Sequence, residues 1–299
     1  MKKALMIGST VADVLIRVDH LPSLEEDVNP YGQTVALGGC CYNVSNMLSV
    51  FSVPYTLFTP VGTGIYGTFI LNALEKKGIE PVLRSEAENG CCYCIIDKDG
   101  NRTFMAVHGT EYRFQKEWFD ELDVREYTDV YVCGLELEEE TGVFIVDFLK
   151  RNPQLKIWFA PSSRILYVPE DRMNAVLDCH PILHLNKREA NEWMLKAGLI
   201  KKEFSDVKFL CRTLYCRTGN TVIITDGERG AWAFDGFRDH YSAAVRVNAV
   251  DGTGAGDSHL GTVMAMTLKG KKLDAALRTA SFISSRVVSR PGGVLVLDE

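Results

Sequence analysis

Short apolar runs recur along this chain with amphipathic segments between them, and that alternation restricts the fold more than any other feature. The runs are ALMIG at 4–8, YTLFTPVG at 55–62, DVYVCGL at 129–135, KIWFA at 156–160, PILHL at 181–185 and TVIIT at 221–225. Largely apolar runs of this length suit strands that are buried on both faces. Between them, Val44, Met47, Leu48 and Phe51 follow helical spacing, as do Ala190, Trp193, Met194 and Ala197. Such alternation builds an α/β fold, a mostly parallel sheet with helices on both sides. With 299 residues and no Pro-rich linker or charge block, the chain reads as one large domain with an appendage.

Two stretches depart from the pattern. Residues 11–37 carry alternating apolar positions, Val14, Ile16 and Val18, with no helix before the strand-like TVAL. Residues 91–107, CCYCIIDKDGNRTFMAV, have the form of a hairpin turning at Asp99 and Gly100. Together the two stretches can make a small antiparallel sheet outside the main one, either a lid over a ligand site or a plain extension.

The net charge of −6 argues against a nucleic-acid surface, so a small anionic ligand would have to be held by local donors. The N-terminal MKKALMIGSTVADVLIRV superficially resembles a secretion signal, but Asp13 and Arg17 interrupt its apolar run. No segment has 18 uninterrupted apolar residues, and the chain reads as a cytoplasmic protein with no membrane partner. Nine cysteines is an odd count, and Cys40, Cys41, Cys91, Cys92 and Cys94 fall within apolar runs, as reduced core thiols do. The CCYC at 91–94 has no second pair at zinc-ligand spacing.

The chemistry concentrates at residues 251–257, DGTGAGD, which run into SHLGTVMAMTLKG. Leu260, Val263, Met264, Thr267 and Leu268 mark a helix face and Gly270 a stop, so Asp257 falls in the first helical turn. Gly252, Gly254 and Gly256 let the backbone aim several N–H groups at one point, where the positive helix end also favours an anion. A carboxylate beside an anion site is costly unless it takes a proton from an attacking hydroxyl. The plainer alternative is a glycine-rich turn capped by an aspartate. GGCCYNV at 38–44 pairs glycines with Asn43 at a helix entry. NKRE at 186–189 suits a capping box, and TDGERG at 225–230 ends a strand in a tight turn.

The order of these pieces, together with G-NRTF near 100, closely resembles the ribokinase-like carbohydrate kinases, the PfkB family, over essentially the whole chain. The resemblance implies a ribokinase-like three-layer sandwich with a mostly parallel central sheet and a small β lid, formed here by about 11–37 and 91–107. It also implies transfer of the γ-phosphoryl group of ATP to an alcohol, with Mg²⁺ as cofactor. In that family pattern Asp257 matches the catalytic base, and the backbone of Gly254, Ala255 and Gly256 the anion hole. Asn186 and Glu189 match the pair that organises magnesium, often through water, and Thr225 and Gly227 the strand end bordering the nucleotide. Asp13, Gly39 and Asn43 match sugar-hydroxyl contacts. Glu136 aligns loosely with a further one. Asp251 matches a carboxylate near the monovalent-cation (K⁺) loop of some members. The chain departs from the pattern in VGTGIYG, where Gly64 replaces an acid, and in APSSR, which keeps Arg164 as a substrate contact but has Ala160 and Ser162 in place of an acid and an amide.

A sugar kinase is therefore expected. A nucleoside kinase, of ribonucleoside or pseudouridine type, is the enzymatic alternative, should Tyr31, Tyr42, Phe104 and Tyr112 gather to stack on a base. A dinucleotide-binding oxidoreductase would need its glycine fingerprint after the first strand, where STVADVLIRV stands instead. A non-catalytic sugar- or nucleotide-binding protein would have no use for Asp257. A homodimer through the lid is the expected assembly, since open sheet edges pair readily.

Overall fold

The computed structural model describes residues 3–290. Eight strands form the main sheet in the order Asp239–Ser242, Ala231–Phe234, Val222–Thr225, Ile182–Asn186, Lys156–Ala160, Tyr127–Cys133, Lys3–Ile7 and Tyr55–Phe58. All neighbours run parallel except Asp239–Ser242 and Ala231–Phe234, which are added antiparallel at one edge. The expected α/β architecture is thus present. Helices cover both faces, and each face has its own apolar core, one including Phe58, Phe148 and Phe159 and the other Met6, Tyr131 and Trp158.

Each of the six apolar runs supplies a strand, but YTLFTPVG supplies two. Tyr55–Phe58 stays in the main sheet, whereas Pro60–Thr63 leaves it to pair with Leu83–Glu88. Pro60 explains the break, because it has no N–H to continue a ladder and is tolerated at the first position of a strand.

One polar pair links two buried strands of the main sheet, although the buried Tyr131 hydroxyl on one of them has no partner among the described residues. Trp158 Nε1 donates to Asp129 Oδ1 at 2.8 Å across adjacent strands, with both residues buried. Trp158→Phe keeps most of the volume but strips a buried carboxylate of this donor. It should lower the unfolding free energy by about 1–3 kcal/mol in a denaturant titration. An unchanged midpoint would show that water takes over the pairing.

Residues 11–37 and 91–107 form a separate four-stranded sheet in the order Gly32–Gly38, Val11–Arg17, Cys91–Ile96 and Arg102–Val107. Its central pair is parallel and its outer pairs antiparallel. Val11–Arg17 alternates its two faces. Ala12 and Val14 join the core with Ile70, from the helix Gly64–Glu75, and cross-strand register puts Asp13 on the opposite face with Cys92 and Ala36.

The helix Ala255–Leu268 departs from the single apolar stripe expected of it, being buried continuously from Ser258 to Met266. It packs between the helices Cys40–Val50 and Leu273–Val288, which leaves no face for solvent. None of the nine cysteines is in a disulfide. Among the described residues, no helix is long and apolar enough to cross a membrane.

Candidate active site

The direction in which strands are added reverses between Lys3–Ile7 and Tyr127–Cys133, and such a reversal opens a crevice outside the carboxyl ends of the strands. Ser9 follows the first of these strands, and Glu136 lies in the short helix Gly134–Glu138 after the second. The Ser9 N–H donates to Glu136 Oε1 at 2.7 Å. Glu136 is fully buried, and burial holds its carboxyl above the usual range against the pull of the Ser9 hydrogen bond. Its Oε2 and the hydroxyls of Ser9 and Thr10 have no partner among the described residues. An unpaired buried polar group costs about 1–3 kcal/mol, so a row of them fits a hydroxylated ligand that would pair with them.

Asp257 enters the same region from the first turn of Ala255–Leu268. Gly254 caps this helix with a φ of 68°, a left-handed conformation that a side chain would strain; the Ala255 N–H donates weakly to the Gly252 carbonyl at 3.3 Å, and the first helical N–H groups have no acceptor within the helix itself. Asn43 Nδ2 donates to Asp257 Oδ2 at 2.9 Å, joining the glycine-led helices Cys40–Val50 and Ala255–Leu268. Gly39 is the cap of the first of them. Burial pushes the Asp257 carboxyl up to about 6, while hydrogen bonds from Asn43 and the Cys40 thiol pull it back. Burial and the charge of Asp257 push Asp13 up to about 7. The structure therefore brings Asp13, Asn43 and Asp257 together.

On the other side of the helix start lies a cavity of about 780 Å³. Thr225, Gly227, Ala255 and Gly256 line it, together with Arg246, Glu228 and Arg229, whose guanidinium donates to Asp226 at 2.7 Å. Gly227 lies in the tight turn after Val222–Thr225, at the junction with the antiparallel edge. Asn186 and Glu189 stand at the carboxyl end of the neighbouring strand. They form a full capping box, each side chain accepting the other's backbone N–H at 2.9 Å. Burial pushes Glu189 up to about 7, with the negative charge of Asp257 adding to the effect. Among the described residues no group of three or more His, Cys, Asp or Glu side chains is placed to hold a metal ion by itself, so a cation at this strand end would need oxygen ligands from water or a bound phosphate as well.

Other expected residues have different surroundings. Arg164 is held by Glu138, with Nε to Oε2 at 2.7 Å and Nη2 to Oε1 at 2.5 Å, and its guanidinium lies over the Tyr167 ring. Asp251, the residue matched to the monovalent-cation loop, has the guanidinium of Arg102 against its carboxylate. Gly64, where an acid was expected, opens a helix at a φ of 78°, and a Cβ there would meet Glu88 Cδ at 3.3 Å. The four aromatic residues do not gather. Tyr42 is buried in the core and Tyr112 is stacked on His108, while Tyr31 and Phe104 are exposed.

Sequence reasoning missed two contributors. Arg102 stood in the G-NRTF motif without a role. His259 lines the cavity two residues after Asp257, and its Nδ1 lies 3.0 Å from Nε2 of His184, both rings being buried and held neutral by burial. Two histidines 75 residues apart carry no signal until the strand and the helix are packed.

The pfkB family carbohydrate kinase model matches residues 1–299, the entire chain. The chain belongs to the PfkB family. Among curated relatives of this PfkB kinase is the uncharacterized sugar kinase YegV of Escherichia coli (strain K12), 27% identical over 293 residues, covering 98% of this chain and 90% of the relative. The deoxyribokinase of Salmonella typhi is 22% identical, with 96% and 92% covered. Among solved structures, ribokinase from Thermotoga maritima superposes with a TM-score of 0.84 at 20% identity, covering 98% of this chain and 95% of the other. The nucleoside kinase of Burkholderia thailandensis in complex with inosine gives 0.78 at 18% identity, with 97% and 91% covered. These likenesses show the ribokinase fold. Family membership makes this PfkB protein a phosphotransferase with an alcohol group as acceptor.

Proposed function

We propose that this kinase transfers the γ-phosphoryl group of ATP to a hydroxyl of a sugar, with Asp257 as general base. The observation that carries the reading is the placement of Asp257, bonded to Asn43 and set between the crevice and the cavity at the start of one helix. The acceptor would lie in the crevice, its hydroxyls paired with Asp13, Asn43 and Glu136, beneath the four-stranded sheet acting as a lid. The unpaired Glu136 Oε2 and Asn43 Oδ1 supply acceptors for those hydroxyls. Gly39 would offer close backbone approach, and Arg164 would act through its pair with Glu138.

ATP fits the cavity, whose volume falls within the roughly 300–1,000 Å³ of small-molecule sites. Its base would border Thr225 and Gly227. The γ-phosphate would meet the N–H groups of Gly254, Ala255 and Gly256, where charge that develops during transfer is stabilised without reorganisation. Asn186 and Glu189 would hold Mg²⁺, through water, and the ion would offset charge between the phosphates and the acids. Asp257 takes the proton as the acceptor oxygen attacks, so that the oxygen is not left cationic.

The unpaired carboxylate and amide oxygens of Glu136 and Asn43 suit the several hydroxyls of a sugar. An ADP-release screen over free sugars, nucleosides and sugar phosphates tests this directly. The reading requires turnover on a neutral sugar, and sustained turnover on nucleosides alone would replace it.

Two further outcomes follow from the shifted carboxyls. A base at about 6 must be ionised to work, so kcat/KM should rise about tenfold per pH unit below that value and level off above it. Because Asp13 titrates nearby, the measured limb belongs to the pair. A flat profile between about pH 4.5 and 6 would remove a carboxylate base from the mechanism. Glu189→Gln keeps the capping geometry and loses the charge. It should raise the Mg²⁺ concentration needed for half-maximal rate by about tenfold or more while leaving Tm nearly unchanged. Parent-like magnesium dependence would leave Glu189 as a cap and nothing else.

A further inference from the structure

The edge strand Arg102–Val107 exposes Phe104, Met105 and Val107, yet its first residue is tied down far from its own sheet. The Arg102 guanidinium reaches the loop that leads into Ala255–Leu268, where Nη1 donates to Asp251 and, at 2.9 Å, to Thr253 Oγ1, and Nη2 to the Val250 carbonyl at 3.4 Å. Asp251 is buried and accepts the Thr253 N–H at 2.7 Å, so its carboxylate is part of the internal scaffold of the loop. At the other end of the strand, His108 meets Glu139 at 2.7 Å.

We propose that Arg102 is a positioning residue that makes the phosphate-facing form of the glycine loop depend on the small sheet lying closed. This rests on the assignment of the γ-phosphate to Gly254, Ala255 and Gly256. Asp251 stands three residues before Gly254, and its negative charge opposes an incoming phosphate. With the strand down, the guanidinium offsets that charge and fixes Thr253 and the Val250 carbonyl, so the following N–H groups hold their aim. With the strand raised, the loop loses three hydrogen bonds and regains a charge that repels the anion. Arginine suits this use, because its planar fork engages several acceptors at once.

The test compares binding of the imido analogue of ATP and of ADP, each with Mg²⁺, by calorimetry in the parent, Arg102→Ala, Arg102→Lys and the double variant Arg102→Ala/Asp251→Asn. Arg102→Ala should weaken the triphosphate analogue by about fivefold or more and ADP by less than about twofold, since only the former reaches the loop with a γ-phosphate. The double variant should recover most of that loss because the repelling charge is gone, and Arg102→Lys should fall between parent and Ala. Tm for each variant reports folding, and the double variant carries the test if Arg102→Ala is unstable. Equal weakening of both nucleotides, or no recovery in the double variant, would overturn the role of Arg102 while leaving the nucleotide assignment intact. A parent protein that binds neither nucleotide would overturn both.

Discussion

Asp257→Asn is expected to lower kcat by a factor on the order of 10² to 10⁴ while MgATP binds within about twofold of the parent. The amide retains the shape of the carboxylate, and its oxygen can still accept from Asn43, as Asp257 Oδ2 does at 2.9 Å. It cannot take a proton from the acceptor hydroxyl. Because the loss lies in a step after binding, it should appear in single-turnover kinetics and persist at every pH. A kcat near that of the parent would show that the proton leaves by another route and that Asp257 serves as a helix-start acid alone.

The second large effect is expected at a residue that makes no proposed contact with substrate. A Cβ on Gly38 would fall 1.8 Å from Asp13 Oδ2 and 2.4 Å from its Cγ, so Gly38→Ala must push the Asp13 side chain aside. The displaced group is the end of a side chain, so the fold should survive. Sugar KM should rise about tenfold and kcat fall by as much as about 10², with the KM for ATP little changed. Asp13→Ala should produce the same pattern, and combining the two should add little, because both remove one interaction. Additive losses would place the effect of Gly38 elsewhere.

How far the site could be foreseen depended on whether its residues share a local segment. The glycine-to-helix junction at 251–257, the capping box at 186–189 and the glycine pair before Asn43 were legible because each is a short motif whose residue types dictate backbone shape. The parallel sheet was legible because doubly buried strands must be apolar. YTLFTPVG was misleading for the same reason, since apolar character does not tell which sheet a strand joins, and only Pro60 marked the change. Pairings across the fold left no local trace. Arg102 on Asp251 spans 149 residues and His184 on His259 spans 75, and neither spacing implies contact. The same limit applied to the four aromatic residues, whose composition suggested a stacking surface that the packing of Tyr42 into the core does not make.

The proposed roles converge on one geometric requirement, that a hydroxyl of the acceptor, the carboxylate of Asp257 and the γ-phosphate meet at the start of Ala255–Leu268. A crystal structure with a sugar identified by the ADP-release screen, Mg²⁺ and the imido analogue of ATP tests it most directly. It should show one sugar hydroxyl within about 2.6–3.2 Å of an Asp257 oxygen, in line with a γ-phosphate that accepts N–H groups from Gly254, Ala255 and Gly256. A sugar bound away from Asp257, or a γ-phosphate held outside that loop, would contradict the account.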